Sequence, residues 1–315
     1  MPCVRFDSIN ARRFIVVAAL AAAAVICACA VLPSVPVYVA PLAGNTIALL
    51  GEVHDNRQGH AERLTLLRSA IKAGWRPVIV MEQFDTDRQA DIDRARREAP
   101  RDAQHVIDLA APTRSGWDWA FYRPVIELAL QYDLPLRAAN LPDADTSKVV
   151  RGGYASVFDA QRLASLSLTQ AIEPAWQAAQ EREIDTGHCG MLPVAMWPAM
   201  ARAQFARDAV MASVLRDAGA AGTVLIAGNG HVRRDIGVAR WLAPAEQARV
   251  VAIGFLEGPS AIEPGAALGA ALGAGSGTGS GNHAAGAFDS VVRVPPAARA
   301  DPCEAFGKRA LPAVR

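Results

Sequence analysis

Apolar residues in this chain fall into short runs separated by longer amphipathic stretches. The runs at 46–50, 77–82, 134–140, 223–228 and 249–255 are bounded by Gly, Pro or Asn and are too short for ordinary helices. They predict strands buried on both faces. The stretches between them follow helical spacing. Over 56–75, Leu64, Leu67, Ala70 and Ile71 share a face and Gly74 ends the pattern; over 117–132, Trp117, Phe121, Val125, Leu128 and Tyr132 fall roughly in line. Two polar helices are expected at 86–98 and 101–109, split by Pro100. Strands alternating with helices of this length predict βαβ units. The fold class is α/β, a mostly parallel sheet flanked by helices with an inserted small helical subdomain.

The alternation stops at Pro142 and resumes at Thr223. The sheet domain is therefore expected over 45–141 and 219–300. The subdomain spans 142–218, with helices at 146–166, 167–184 and 198–218. Residues 264–286 are rich in Gly, Ala and Ser and predict a flexible insertion. A last strand is expected at 290–294 and a C-terminal tail at 301–315.

Four of the strands end on polar side chains: Glu52 and His54, then Glu82, then Asn140, then Asn229 and His231. Ligands of open parallel sheets bind beyond the carboxyl ends of the strands. Ending several buried strands on ionisable groups is costly unless they are paired or used. Glu52 and His54 are two apart, so in extended backbone they project to one side. The ligand-binding candidates are Glu52, His54, Glu82, Asn140, Asn229, His231 and Asp208. Such a set permits three chemistries. Glu52, His54, Glu82 and His231 could hold a divalent metal, could serve as catalytic residues of a hydrolase with His54 as base, or could fix polar groups of a cofactor. His60 and His105 lie on helices and are expected to be solvated or capped. Met191, Met196, Met200 and Trp197 form a cluster expected to pack, which would also suit a porphyrin face.

Composition and charge narrow the picture. With 32 Lys and Arg against 31 Asp and Glu the net charge is +1, which removes the electrostatic footprint of a nucleic-acid binder. Residues 1–29 have a positive start at Arg5, Arg12 and Arg13 and an apolar stretch at 14–28, the pattern of a signal peptide. Ile26-Cys27-Ala28-Cys29 resembles a lipobox with Cys29 as the lipidated residue, although Cys27 departs from the usual small or branched residue there. Ordinary cleavage is the alternative. Either outcome implies export, with the lipid-anchored form at the periplasmic face of a bacterial membrane. Residues 30–44 read as a tether, with an edge strand at 37–39. Export leaves Cys189 and Cys303 free to form a disulfide.

Several segments then carry a family resemblance. They are Gly51-Glu52-Val53-His54-Asp55-Asn56 with His60, Met81-Glu82-Gln83-Phe84, the stretch 117–124, Ala138-Ala139-Asn140-Leu141-Pro142, Gln204 with Asp208 and Met211, and Gly228-Asn229-Gly230-His231-Val232 followed by Gly237-Val238. In this order they resemble a ChaN-type haem-binding uptake domain of the Tiki superfamily. The resemblance implies an α/β domain with a small helical domain and a lipoprotein that handles haem or iron. It also implies a Tyr ligand to the iron in a pocket shared by two subunits, hence a homodimer. The candidates for that ligand are Tyr154, Tyr122 and His188, each with an ordinary alternative: a packed aromatic at Tyr122, a surface Tyr at Tyr154, a loop His at His188. The superfamily also contains Tiki-type and erythromycin-esterase-like hydrolases, so a metal-dependent or His-based hydrolase stays open beside the haem reading.

Overall fold

The computed structural model describes residues 42–113, 116–218, 222–258, 286–301 and 303–304. The signal peptide, Cys29, the strand at 37–39 and nearly all of the insertion lie outside them. Among the described residues no helix is long and apolar enough to cross a membrane.

Six strands, β1 (Ile47–Leu50), β2 (Val78–Asp85), β3 (Leu136–Asn140), β4 (Thr223–Ile226), β5 (Val250–Glu257) and β6 (Ser290–Val294), form one sheet in the order β3-β2-β4-β1-β5-β6. Every pairing is parallel. Among the described residues ten α-helices accompany them: α1 (Arg57–Lys72), α2 (Gln89–Glu98), α3 (Ala103–Ala110), α4 (Trp119–Gln131), α5 (Asp143–Gly152), α6 (Ala160–Ser165), α7 (Pro174–Gly187), α8 (Trp197–Asp217), α9 (Asn229–Val232) and α10 (Pro244–Gln247). The chain is thus an α/β protein with helices on both faces of a parallel sheet.

Each strand feeds two cores by alternation. Ala48, Leu50, Ile79, Met81, Val224 and Ile226 pack with α1, α3 and α4, including Leu67, Ile71, Val106 and Ile126. Ile47, Leu49, Val78, Val80, Leu225 and Ala227 pack against α8, including Phe205, Ala209 and Ala212. This is why the strands read as continuous apolar runs rather than alternating ones. Residues from the inserted segment, such as Val149, Leu166 and Trp176, belong to that second core and are continuous with the sheet's own residues.

Two expected helices are redrawn. The pattern over 146–166 is broken after Gly152, because Gly153 takes φ +77°, and continues as a short 3-10 turn and α6. The helix expected at 167–184 begins only at Pro174, which occupies its first turn, as Pro favours. Met191, Met196, Met200 and Trp197 are half-buried and stand outside both cores.

Beyond β6 the chain turns back along the carboxyl edge. Asn56 donates to the Pro295 carbonyl at 2.8 Å, Ala297 N–H donates to Glu257 at 2.9 Å, and Arg299 bridges Asp55 and Glu257. Cys303 then joins Cys189, which lies just past α7, across a sequence separation of 114 with Cα atoms 5.6 Å apart. The disulfide fastens this returning segment to the turn before α8.

Candidate functional site

The carboxyl ends of β2, β4 and β1 are adjacent, and they bring Glu82, Gly228 with His231, and Glu52 with His54 to one rim. Pleating then sorts the carboxylates. Leu50 and Met81 face the α1/α4 core. Glu52, two residues after Leu50, follows Leu50 to that side, whereas Glu82, next to Met81, turns toward α8.

On the α1/α4 side, Glu52 is 3% exposed and fully engaged. Oε1 accepts from Tyr122 Oη at 2.6 Å and from Gln83 Nε2 at 3.3 Å, and it lies 2.7 Å from His54 Nδ1. Oε2 pairs with the Arg63 guanidinium. Burial would raise the Glu52 carboxyl, but the Arg63 charge and the His54 hydrogen bond override it and hold it at about 2. Arg63 Nη2 also donates to His60 Nδ1 at 2.8 Å, and His60 Nε2–H donates to the His54 carbonyl at 3.0 Å. Burial and the Arg63 charge push the His60 pKa down, which matches a neutral ring with that tautomer. His60 was expected to be solvated or capped. It is instead buried, because it shares with Arg63, Leu67 and Ile71 the inner face of α1. His105 stays near the surface beside Glu98.

On the α8 side, Glu82 Oε2 accepts the Gly228 N–H at 2.8 Å, and Oε1 lies 3.4 Å from His231 Nε2. His231 Nδ1 lies 2.6 Å from Asp208. Burial disfavours the His231 cation, but Glu82 and Asp208 flank the ring and raise its pKa to about 10. Burial likewise pushes Asp208 up, to about 6, while His231 and Arg207 join in holding Glu82 far below its ordinary value. At neutral pH the group is an imidazolium between two carboxylates. Arg207 extends it sideways, donating to Asn140 Oδ1 at 3.0 and 2.8 Å, while Asn140 Nδ2 donates to Asp85 at 2.7 Å.

His54 stands where the two groups meet. A Cβ on Gly228 would lie 3.0 Å from His54 Cε1, 3.2 Å from Nε2 and 3.8 Å from Glu82, so glycine keeps this contact open. The His54 side chain is 52% exposed, whereas those of Glu52, Glu82, Asp208 and His231 are nearly or largely enclosed. Burial opposes its protonation, but Glu52 and Glu82 raise its pKa above the ordinary value.

Three expectations are corrected. Asn229 does not face a ligand: Nδ2 donates to the Phe255 carbonyl at 2.7 Å and Oδ1 accepts the Phe255 N–H at 3.1 Å, so it supplies β5 with the partner that β1 no longer offers past Leu50. A Cβ on Gly51 would overlap its side-chain oxygen. Tyr122 is no iron ligand, because it is fully buried and donates to Glu52; burial and that neighbouring charge push its hydroxyl far upward, against the phenolate that ligation needs. Third, among the described residues no three His, Cys, Asp or Glu side chains are grouped to hold a metal ion. The physical reason is that Glu52 and Glu82 face opposite sides of the sheet and are already neutralised by Arg63, Arg207 and His231.

Tyr154 is half-buried against the α8-side core, and burial raises its hydroxyl to about 12. His188 donates from Nδ1 to the Ile184 carbonyl at 2.6 Å, closing its own helix. Arg63, Gln83 and Arg207 were not among the sequence candidates; the i, i+3 spacing of His60 and Arg63 on the Leu67–Ile71 stripe is the signal that points to the first.

Haem requires an accessible donor, flat apolar walls and a cation for its propionates. His54 offers the donor. The Trp117 ring stands edge-on to it, with centroids 4.9 Å apart, and Phe121 stacks on His60. The exposed Arg57 guanidinium lies 5.5 Å from the Phe121 centroid. Trp117 and Arg57 are the half-buried and exposed groups beside His54 that would face such a ligand, and bound haem would supply an iron centre.

Residues 38–242 match a family model described as haem-binding uptake, Tiki superfamily, ChaN. Among solved structures the chain is similar to ChaN of Campylobacter jejuni, a structure of cofacial haem binding, with 16% identity and a TM-score of 0.52 over 67% of this chain and 81% of that one. It is also similar to a variant of the erythromycin esterase EreC in its open conformation, with 14% identity and a TM-score of 0.42 over 71% of this chain and 73% of that one. No curated protein matches.

Proposed function

The chain belongs to the ChaN family of haem-binding uptake proteins in the Tiki superfamily, and from that premise we propose that it binds haem or an iron-porphyrin at the carboxyl rim of its sheet. The reading includes export and anchoring through Cys29 at the periplasmic face of a bacterial membrane, where the protein would take up or store its ligand. One observation carries the choice of site: the half-exposed imidazole of His54 stands beside the half-buried indole of Trp117. A donor and an apolar wall are thus offered together, while Glu52, Glu82, Asp208 and His231 are enclosed by their partners.

Titrating the purified protein with hemin is expected to give a saturable shift of the Soret band. A spectrum that stays that of free hemin sinks the reading. For the anchor, Cys29→Ser is expected to move the protein from the membrane fraction to the soluble one; unchanged membrane retention removes lipidation at this residue.

A further inference from the structure

The segment after β6, residues 295–301, forms no helix or strand and is exposed apart from a half-buried Ala297. None of these residues belongs to either core. What holds the segment is polar and covalent. At its start, Asn56 Nδ2 donates to the Pro295 carbonyl at 2.8 Å and to Glu257 at 2.7 Å. Farther on, the Arg299 guanidinium donates to Asp55 and to Glu257, both at 2.9 Å. Asp55 and Asn56 directly follow His54, so the segment lies against the loop that carries the half-exposed imidazole of the rim. Beyond it, Cys303 is bonded to Cys189, just past α7, whose Trp176 packs in the core on the other face of the sheet. We propose that the Cys189–Cys303 bond is a thiol-exchange switch: closed, it straps the 53–56 loop across the carboxyl edge; opened, it frees that loop and His54 to move. The device acts on the rim whichever ligand the rim takes.

The bond is the controlling link because the others are weak alone. Arg299 and Asp55 are partly exposed, and ion pairs of that kind contribute little by themselves. A crosslink between residues 114 apart in sequence removes much of the freedom that a loose segment would otherwise have. With the bond open, Arg299 has to find Asp55 from a segment whose nearest fixed point is β6. Opening it takes nothing from the core, since Cys189 and Cys303 are half-buried and belong to neither cluster, and half-burial leaves the sulfurs within reach of a thiol. Cys189 also takes φ +59° directly past the end of α7, where glycine is favoured. A side chain is kept there at a conformational cost, which a sulfur needed for bonding accounts for. The step balances with a dithiol as co-reactant. Its thiolate attacks one sulfur and displaces the other, and its second thiol then resolves the mixed disulfide. Two electrons and two protons thereby pass to the cysteines, and the donor leaves as a disulfide. The inner hold on the loop survives, because His60 still donates to the His54 carbonyl and Glu52 still meets the ring, so the opened state is a loosened loop and not an unfolded one.

The test compares the full chain with the bond closed, after reduction by dithiothreitol, and as the Cys189→Ser, Cys303→Ser double variant, using hydrogen exchange resolved to single amides. The probes are the Asn56 N–H, bonded to the Val53 carbonyl at 3.0 Å, and the Gly59 N–H, bonded to the Asn56 side chain at 2.8 Å. Both are expected to exchange at least about tenfold faster once the bond is open, while the Ile79 N–H, bonded to the Pro135 carbonyl inside the sheet, keeps its rate. The ring resonances of His54 are expected to shift in the same samples, and reoxidation of the reduced wild type is expected to reverse both changes. Unchanged exchange at Asn56 and Gly59, or an unmoved His54 ring, overturns the proposal. An equal acceleration at Ile79, or a chain that unfolds when the bond opens, overturns it as well, because the bond would then be a staple of the whole fold. Reduction needs no substitution, so poor folding of the double variant does not shelter the proposal. Hemin is left out of every sample, which keeps the outcome separate from that of the haem reading.

Discussion

Replacing Arg63 with alanine is expected to destabilise the protein by about 3–5 kcal/mol, the range for removing one partner of a buried ion pair. The guanidinium is 1% exposed and so is its carboxylate partner, so the variant leaves Glu52 ionised with no full charge to replace the one lost. His60 loses its donor in the same change and adds to the loss. Chemical denaturation at neutral pH measures the size. Its pH dependence identifies the cause. In the wild type, Glu52 has a folded pKa of about 2 against an ordinary 4.5, so its contribution is complete above 4.5 and disappears as the pH falls toward 2. Without Arg63 the burial penalty dominates, and the gap between variant and wild type should therefore narrow in acid. A paired Arg63→Met, Glu52→Gln variant, which buries no charge, should recover most of the stability. A gap that is flat with pH, or a double variant as weak as the single one, would assign the loss to packing.

His231→Ala is expected to have a comparable effect, about 3–5 kcal/mol, because two buried carboxylates lose the cation between them. Here the sign differs between partners. The folded pKa of His231 is about 10 against 6.5, so its contribution is full below 6.5 and is lost as the pH rises through 10. Glu82 is lowered from 4.5, so its contribution is present above 4.5 and fades as the pH falls through its folded value. Asp208 works against both: burial raises it from 3.8 to about 6, so its ionisation above that range is a cost even in the wild type. The difference between wild type and His231→Ala should be widest between about pH 4.5 and 6.5 and shrink toward alkaline pH. Thermal melts across pH 4–10 would measure it, and a difference that grows above pH 8 would contradict an imidazolium at this position.

Much of this was legible in the sequence. Short apolar runs placed five of the six described strands, because a parallel sheet covered on both faces leaves no polar alternation to confuse the pattern, and the half-buried β6 lies at the 290–294 expected for a last strand. The rim followed, since Glu52, Glu82, Asn140 and His231 each end a run. What those side chains touch did not follow. Arg63 reads as a solvated charge on an amphipathic helix until His60, Arg63, Leu67 and Ile71 are seen as one stripe. Arg207 stands beside Asp208 and has no signature of its own. The role of Asn229 depends on β5 outlasting β1, a difference in strand length that only the assembled sheet displays. The breaks at Gly153 and Pro174 were visible as residues, yet the apolar spacing ran through both.

The alternation of side chains across a pleated strand, which sends Glu52 one way and Glu82 the other, has a consequence for how such a rim can change. The sheet acts as a partition between two separately wired electrostatic compartments, one served by the first and fourth helices and the other by the eighth. Substitutions in either layer chiefly retune their own acid, and His54 carries a part of each change across to the other. His54 is the junction at which both settings are read, so a protein of this design could alter what it holds by rewiring one side alone.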